Sequence, residues 1–331
     1  TPIVTDIWNA YNAALDFYSK TYSFEEKNTW FKFAFEHTDY RSLPEELKNW
    51  ILGQQFLTQC FALARHSIIG IHFHHEKTLS DKEIDILKRF SKVFEQGYIR
   101  FLDLQKAEAQ AREAEIELAL ERVRARTMSM QVSGELEQVM HTVFERLKEL
   151  NIDFYTAIII VFQEGSKDVL WWLENRQHQH FGKILVPYTD IAYLKDLANT
   201  RESGNDFFTK HYPFEEKNDL FRHLFNNTGL KHIPEEQKTV LLEAPFATMS
   251  VGLAKNTAIH ITSYSRKSFD ERENDIVKRF AKVFDHGYTR FLDLQTAEAQ
   301  ARESQIQLAL ERVRARTMAM QRSDELSQTA H

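Results

Sequence analysis

The chain has 331 residues, 43% of them hydrophobic and 12% aromatic, with 25 Phe, which is enough apolar material for packed cores and excludes wholesale disorder. A net charge of −6 and a pI of about 6.2 leave no basic footprint, so nucleic acid is not expected as a partner. One cysteine, Cys60, excludes an internal disulfide framework and fits a reducing, cytoplasmic compartment.

The longest apolar run, Ala157–Phe162, is too short to span a bilayer, and no secretory leader pattern is present, so no membrane segment is expected. Only ten glycines occur, and neither the phosphate-loop nor the dinucleotide-binding glycine pattern appears.

In chain order, residues 1–80 align with residues 191–270 position for position, without a gap and with a similarity that weakens toward the first residue. Lys88–Gln131, KRFSKVFEQGYIRFLDLQKAEAQAREAEIELALERVRARTMSMQ, returns as KRFAKVFDHGYTRFLDLQTAEAQARESQIQLALERVRARTMAMQ at Lys278–Gln321. The shift is 190 residues and needs no gap, so the chain is a repeat array. The second copy is preceded by Ser133–Asp190, which the first lacks, and SDELSQTAH at Ser323–His331 repeats SGELEQVMH at Ser133–His141. The expectation is a fragment of a longer array. Residues 1–104 are the C-terminal part of one unit, 105–132 a helical linker, 133–294 a complete unit, and 295–331 a second linker with the start of a further unit.

The first linker lies within a stretch, Asp81–Met130, that contains no Gly or Pro except Gly97, matched by Gly287 in the second copy, and is rich in helix formers. Unbroken, it makes a rod roughly 75 Å long. Leu102, Ala109, Ile116, Val123 and Met130 are apolar and seven apart, as are Leu292, Ala299, Ile306, Val313 and Met320. That spacing predicts a parallel homodimer through a two-stranded coiled coil. The companion positions Gln105, Arg112, Ala119 and Arg126 are poorer, and Leu104, Ala111, Leu118 and Ala125 form an offset second row, so the seam can pack in more than one register. A solvated spacer helix is the plainer alternative, although a spacer needs no apolar row.

The complete unit opens with Ser133 as an N-cap to an amphipathic helix ending near Leu150. Thr156–Phe162 and Val169–Glu174 read as a hairpin, with a third strand at Gly182–Val186 before Pro187. Residues 189–245 read as helical pieces, Ile191–Leu197, Glu215–Phe225 and Pro234–Leu242. Ala247–Ala254 and Thr257–Ser265 make a second hairpin, and Phe269 opens the long helix. The fold class expected is α+β, an antiparallel sheet with flanking helices, repeated and joined by long coiled-coil helices.

FDERENDIVKRFAKVF at Phe269–Phe284 and LSDKEIDILKRFSKVF at Leu79–Phe94 resemble the closing strand-to-helix corner of GAF domains. The element order of residues 133–294 resembles that family too. ERVRART, with Glu121, Arg122, Arg126 and Thr127, resembles the signalling helices that join sensor to output modules in bacterial sensor histidine kinases and nucleotide cyclases. The resemblance implies a sensor and relay region in which GAF-like units couple binding of a ligand or partner to the helices. The acidic and aromatic pattern of cyclic-nucleotide-binding members is not reproduced around Phe269. Nor is the family's tetrapyrrole-attachment cysteine matched, because Cys60 is Ser250 in the other copy. The cofactor is unknown.

The ligand space the resemblance implies lies between the sheet and its covering loops. FEEKN at 24–28 returns unchanged at 214–218, preceded by Tyr212 and followed by Phe221, which nominates Tyr212, Phe214, Lys217, Asn218 and Phe221. Trp171 and Trp172 are adjacent, so one faces each side of its strand. Thr248, Ser250 and His260 complete the candidate set. The alternative for FEEKN is a capped helix start with Phe221 buried, since acidic first turns are ordinary helix chemistry.

His72 and His74 could ligate a metal, but their counterparts are Thr262 and Tyr264, and His178 with His180 also lacks a third ligand, so no metal is expected. His141 is followed by Thr142, where an acidic residue is expected after a phospho-accepting histidine. With no nucleophile–base arrangement in sight, the expected function is a non-catalytic sensor and relay that binds a small molecule. The alternative is a structural dimerisation module that binds none.

Overall fold

The computed structural model describes residues 2–175 and 180–319, in two compact units, Thr1–Ala111 and Arg112–His331. His178, Met320 and the repeat of the Ser133–His141 segment lie outside the described residues. The side chain of His180 does as well.

The first unit runs α1 (Pro2–Asn12), β1 (Phe17–Tyr22), α2 (Phe24–His37), α3 (Glu45–Gly53), β2 (Leu57–Leu63), β3 (Ile68–Phe73) and the first part of α4 (Asp81–Met128). Its strands form an antiparallel sheet in the order β1-β2-β3. Ser23 and Glu26 close a capping box at the start of α2, and Ser80 accepts from the Glu83 N–H at the start of α4.

The second unit contains the end of α4, α5 (Leu136–Glu149), β4 (Thr156–Phe162), β5 (Val169–Asn175), β6 (His180–Val186), α6 (Ala192–Glu202), β7 (Phe207–Pro213), α7 (Phe214–Asn227), α8 (Glu235–Glu243), β8 (Phe246–Leu253), β9 (Thr257–Ser263) and α9 (Glu271–Ala319). Its strands pair antiparallel in the order β6-β5-β4-β9-β8-β7. Both faces are covered. Ala157, Ile159, Ile259 and Ile261 join one core with α5 and α9. Ile158, Ile160, Met249 and Ala258 join the other with α6 and α7. A strand buried on both faces has no polar side to show, which is why β4 reads as an unbroken apolar run.

The hairpin at Lys255–Asn256 is tied to α9, because Asp285 accepts from the Asn256 N–H at 2.8 Å and from the Thr257 hydroxyl at 2.9 Å. Next to it, a β-carbon on Gly252 would meet the Val277 carbonyl oxygen at 2.8 Å, so β8 lies directly against the α9 backbone.

The structure adds to or corrects the expectations at three points. The stretch 189–245 is helical in pieces, but a strand stands between them: β7 pairs with β8 from Phe207↔Gly252 to Pro213↔Phe246, and β1 pairs likewise with β2 in the first unit. FFTKHY carries the aromatic and β-branched residues of a strand, but it is too polar to announce itself by apolar alternation. Ser133 does not cap α5. Its N–H and hydroxyl both donate to the Glu298 carboxylate, at 2.9 and 2.7 Å, and α5 starts at Leu136 after a 3₁₀ turn. The two long helices also differ in what covers them. Ile116, Val123 and Met130 are buried in the core of the second unit, whereas Ala299, Ile306 and Val313 are exposed; Leu102 and Leu292 are half-buried and Ala109 is exposed.

The end of α4 runs parallel to α9. Arg279 reaches Glu117 and, at 2.8 Å, Glu113. Thr127 lies over Gly287, and the Arg290 guanidinium donates to the Met130 carbonyl at 3.0 Å. Exposed ion pairs of this kind add little stability; the buried apolar row does most of the holding.

Candidate functional site

Under α7 and α8 the sheet of the second unit leaves a cavity of about 70 Å³. Trp171 from β5, Met249 from β8, His260 and Thr262 from β9, and Phe221 and Leu224 from α7 are among its walls. Strand alternation brings these residues to one face, and the apolar stripe of α7 closes over them.

The polar groups at the cavity are arranged around His260. Its Nδ1 lies 2.9 Å from the Tyr193 hydroxyl on α6, and its Nε2 lies 2.6 Å from the Thr262 hydroxyl. Burial drives the imidazole pKa down to about 3, so the ring is neutral, with one nitrogen donating and the other accepting. Burial also raises the Tyr264 phenol, another wall residue, well above its ordinary range. The Trp171 ring stands at 87° to His260 with 6.3 Å between centroids. Its indole N–H is buried without a hydrogen-bond partner. An orphaned donor beside an apolar cavity is suited to a small neutral molecule that presents one acceptor atom.

Of the residues nominated from sequence, Trp171, Phe221 and His260 meet at this cavity. Trp172 lies on the opposite face of the sheet, in an open groove of about 540 Å³ beside Met140 and Phe144. Lys217 is fully buried and is not among the walls of the cavity, its ammonium 2.5 Å from the Leu241 carbonyl and 3.0 Å from that of Leu242, at the end of α8. Burial lowers its pKa to about 8.

The same contact recurs in the first unit, where Lys27 reaches the Ile51 and Leu52 carbonyls at the end of α3. FEEKN therefore returns unchanged because its lysine ties together two helices, binding the carbonyls that every helix end leaves unpaired. The Asn218 side-chain oxygen is buried without a partner, and Phe214 is exposed. Tyr212 donates to Asp196 at 2.8 Å. Thr248 and Ser250 fasten β8 on its other side, donating to the Arg266 carbonyl at 2.6 Å and to Asn274 at 2.7 Å.

Tyr193, Met249, Leu224 and Tyr264 escaped the sequence reading. The one available signal was His260 itself, a polar residue between Ile259 and Ile261 in a strand whose every residue is buried. In the first unit, His72 stacks edgewise on Phe61 and His74 on Trp50. Among the described residues no group of three or more metal-ligating side chains occurs.

Fold and site together define an α+β protein, with helix-flanked antiparallel sheets and long helices. No family model matches the chain, and no curated protein does. Among solved structures, the chain is similar to one described as the structure of the GAF domain, at 12% identity and a TM-score of 0.33, covering 53% of this chain and 88% of that one. It is also similar to the GAF domain of a phosphoenolpyruvate-protein phosphotransferase from Acinetobacter, at 12% identity and a TM-score of 0.29, covering 52% and 93%. Among the described residues, no helix is long and apolar enough to cross a membrane.

Proposed function

We propose that the second unit is a non-catalytic, GAF-like sensor and relay module of a cytoplasmic bacterial signalling protein, taking a small neutral ligand in the cavity at Trp171 and His260. The observation that carries this reading is the orphaned Trp171 N–H at the wall of an apolar cavity. The family resemblance in the Phe269–Phe284 corner and the ERVRART helices supports the signalling context. A neutral imidazole at about 3 is unfitted to proton transfer near neutral pH, which favours binding over catalysis.

The relay would run through the sheet. Strand β9 presents His260 and Thr262 to the cavity and Ile259 and Ile261 to the core shared with α5 and α9. A ligand that displaces β9 therefore shifts the packing of α9 and, with it, the end of α4. A histidine kinase or nucleotide cyclase joined to these helices would be the output, and self-association of two chains would accompany it. The alternative is a structural module, favoured by the small size of the cavity, since sites for larger ligands typically span about 300–1,000 Å³.

The test is thermal unfolding with millimolar benzyl alcohol, acetophenone and indole, read beside Trp fluorescence, in the wild type, in Trp171→Phe and in Leu241→Phe, which fills the cavity from its α8 wall. Stabilisation of the wild type by an acceptor-bearing ring, lost in Leu241→Phe and weakened in Trp171→Phe, supports the sensor. The same response in all three, or none in any, favours the structural module.

A further inference from the structure

On the face of the sheet opposite the Trp171 cavity, the second unit carries an open groove of about 540 Å³, within the roughly 300–1,000 Å³ typical of small-molecule sites. Its floor is apolar. Met140 and Phe144 of α5 are 3% and 4% exposed and belong to the core shared by α5, α9 and the end of α4. Trp172 of β5 packs against that core half-buried. Two charged walls complete the groove, Arg126 in the last turn of α4 and Glu137 in the first turn of α5.

These two charges differ from their neighbours in having no counter-charge. Within ERVRART, Arg122 meets Glu149 at 3.5 Å and Arg124 meets Glu117 at 3.7 Å. Among the described residues the Arg126 guanidinium meets no carboxylate and donates to the Ser129 hydroxyl, at 3.1 Å. On α5, Glu145 and Glu149 reach Arg146 at 3.4 and 2.5 Å, whereas the Glu137 carboxylate meets no cation among the described residues. His141 and Thr142, also at the groove, are engaged within α5, His141 with Glu145 at 3.3 Å and Thr142 donating to the Gln138 carbonyl at 2.8 Å.

A guanidinium binds a carboxylate through parallel hydrogen bonds, a carboxylate accepts from an ammonium, and an aromatic floor suits a hydrocarbon group. A free α-amino acid carries all three groups on one carbon. We infer that the groove binds a free amino acid with an apolar side chain, its carboxylate on Arg126, its ammonium on Glu137 and its side chain against Trp172. This second site is independent of the Trp171 cavity. It also gives ERVRART a use in this unit: Thr127 lies over Gly287 of α9, and Arg126, one residue earlier, lines the groove. An occupant held by both charges clamps the end of α4 to the start of α5.

The test is titration of the full chain with L-phenylalanine, 3-phenylpropionate and 2-phenylethylamine, read from the indole N–H signals in NMR. The Trp172 signal is assigned by its loss in Trp172→Phe. 3-Phenylpropionate lacks the ammonium, and 2-phenylethylamine lacks the carboxylate. The expected result is that L-phenylalanine moves the Trp172 signal and binds about fivefold more tightly than either analogue. Glu137→Gln should bring L-phenylalanine down to the affinity of 3-phenylpropionate, and Arg126→Gln to that of 2-phenylethylamine, each variant's folding being checked by circular dichroism. Either analogue binding the wild type as tightly as L-phenylalanine overturns the inference. So does a Trp172 signal that none of the three moves, or a preference for L-phenylalanine that both variants leave intact.

Discussion

The ammonium of Lys217 lies 2.5 Å from the carbonyl oxygen of Leu241, and the equivalent pair in the first unit, Lys27 and Ile51, lies at 2.6 Å. Each joins the first turn of one helix to the last turn of the next. Removing the lysine leaves buried carbonyls unpaired, so Lys217→Met is expected to lower the stability of the second unit by about 2–4 kcal/mol. Urea unfolding measures this, with Lys267→Met, at an exposed position, as control. A loss no larger than the control's would show that the tie is incidental.

His260 makes stability depend on acid. Its pKa in the folded chain, about 3, is below the roughly 6.5 of an unfolded histidine, so below pH 6.5 the unfolded chain binds the extra proton. Its contribution is therefore complete above pH 6.5 and lost as pH falls toward 3, with a slope of about 1.4 kcal/mol per pH unit. Comparing His260→Phe with the wild type between pH 7 and pH 4 isolates it: the variant's curve should be flatter by that slope. Parallel curves would place the histidine in contact with water.

The two long helices carry the same sequence pattern and should respond oppositely to the same change. Ile116→Glu puts a carboxylate into a core where Ile116 is 3% exposed, and is expected to cost more than about 4 kcal/mol. Ile306→Glu, at a position 46% exposed, is expected to change monomer stability by less than about 0.5 kcal/mol. Chemical denaturation in dilute solution tests both. Equal effects would mean that the core around Ile116 is not as packed as described.

The helical glycines offer a similar contrast. Gly97→Ala has open space and should stabilise its helix by about 1 kcal/mol. Gly287→Ala meets Thr127, and overpacking of about 1–3 kcal/mol offsets the same helical gain. Thermal unfolding of the two single variants decides it, and an equal gain in both would remove Thr127 as the reason for Gly287.

Much of this architecture was legible in the residues. The 190-residue repeat, the long helices, both hairpins and the α+β class follow from local patterns, because helical and strand periods and turn residues act within a few positions of one another. Trp171 and His260 were nominated on the same footing, from strand alternation. The polar strand Phe207–Pro213 was not legible, because it is held by the ladder it makes with β8 and not by a periodicity of its own. The purpose of Lys217 was equally hidden, since its partners lie 24 and 25 residues away and are backbone carbonyls that no side-chain pattern marks.

The difference between Ile116 and Ile306 is the clearest limit. Two segments of nearly the same sequence end in opposite environments, one in a core and one in solvent, because a heptad row states that a helix needs a partner and not which partner it has. By itself the sequence determined the elements, their repetition and the apolar faces they carry. Only the tertiary structure decided which faces meet, because burial depends on what the rest of the chain brings alongside: α5 and α9 reach the end of α4, and among the described residues nothing reaches the end of α9.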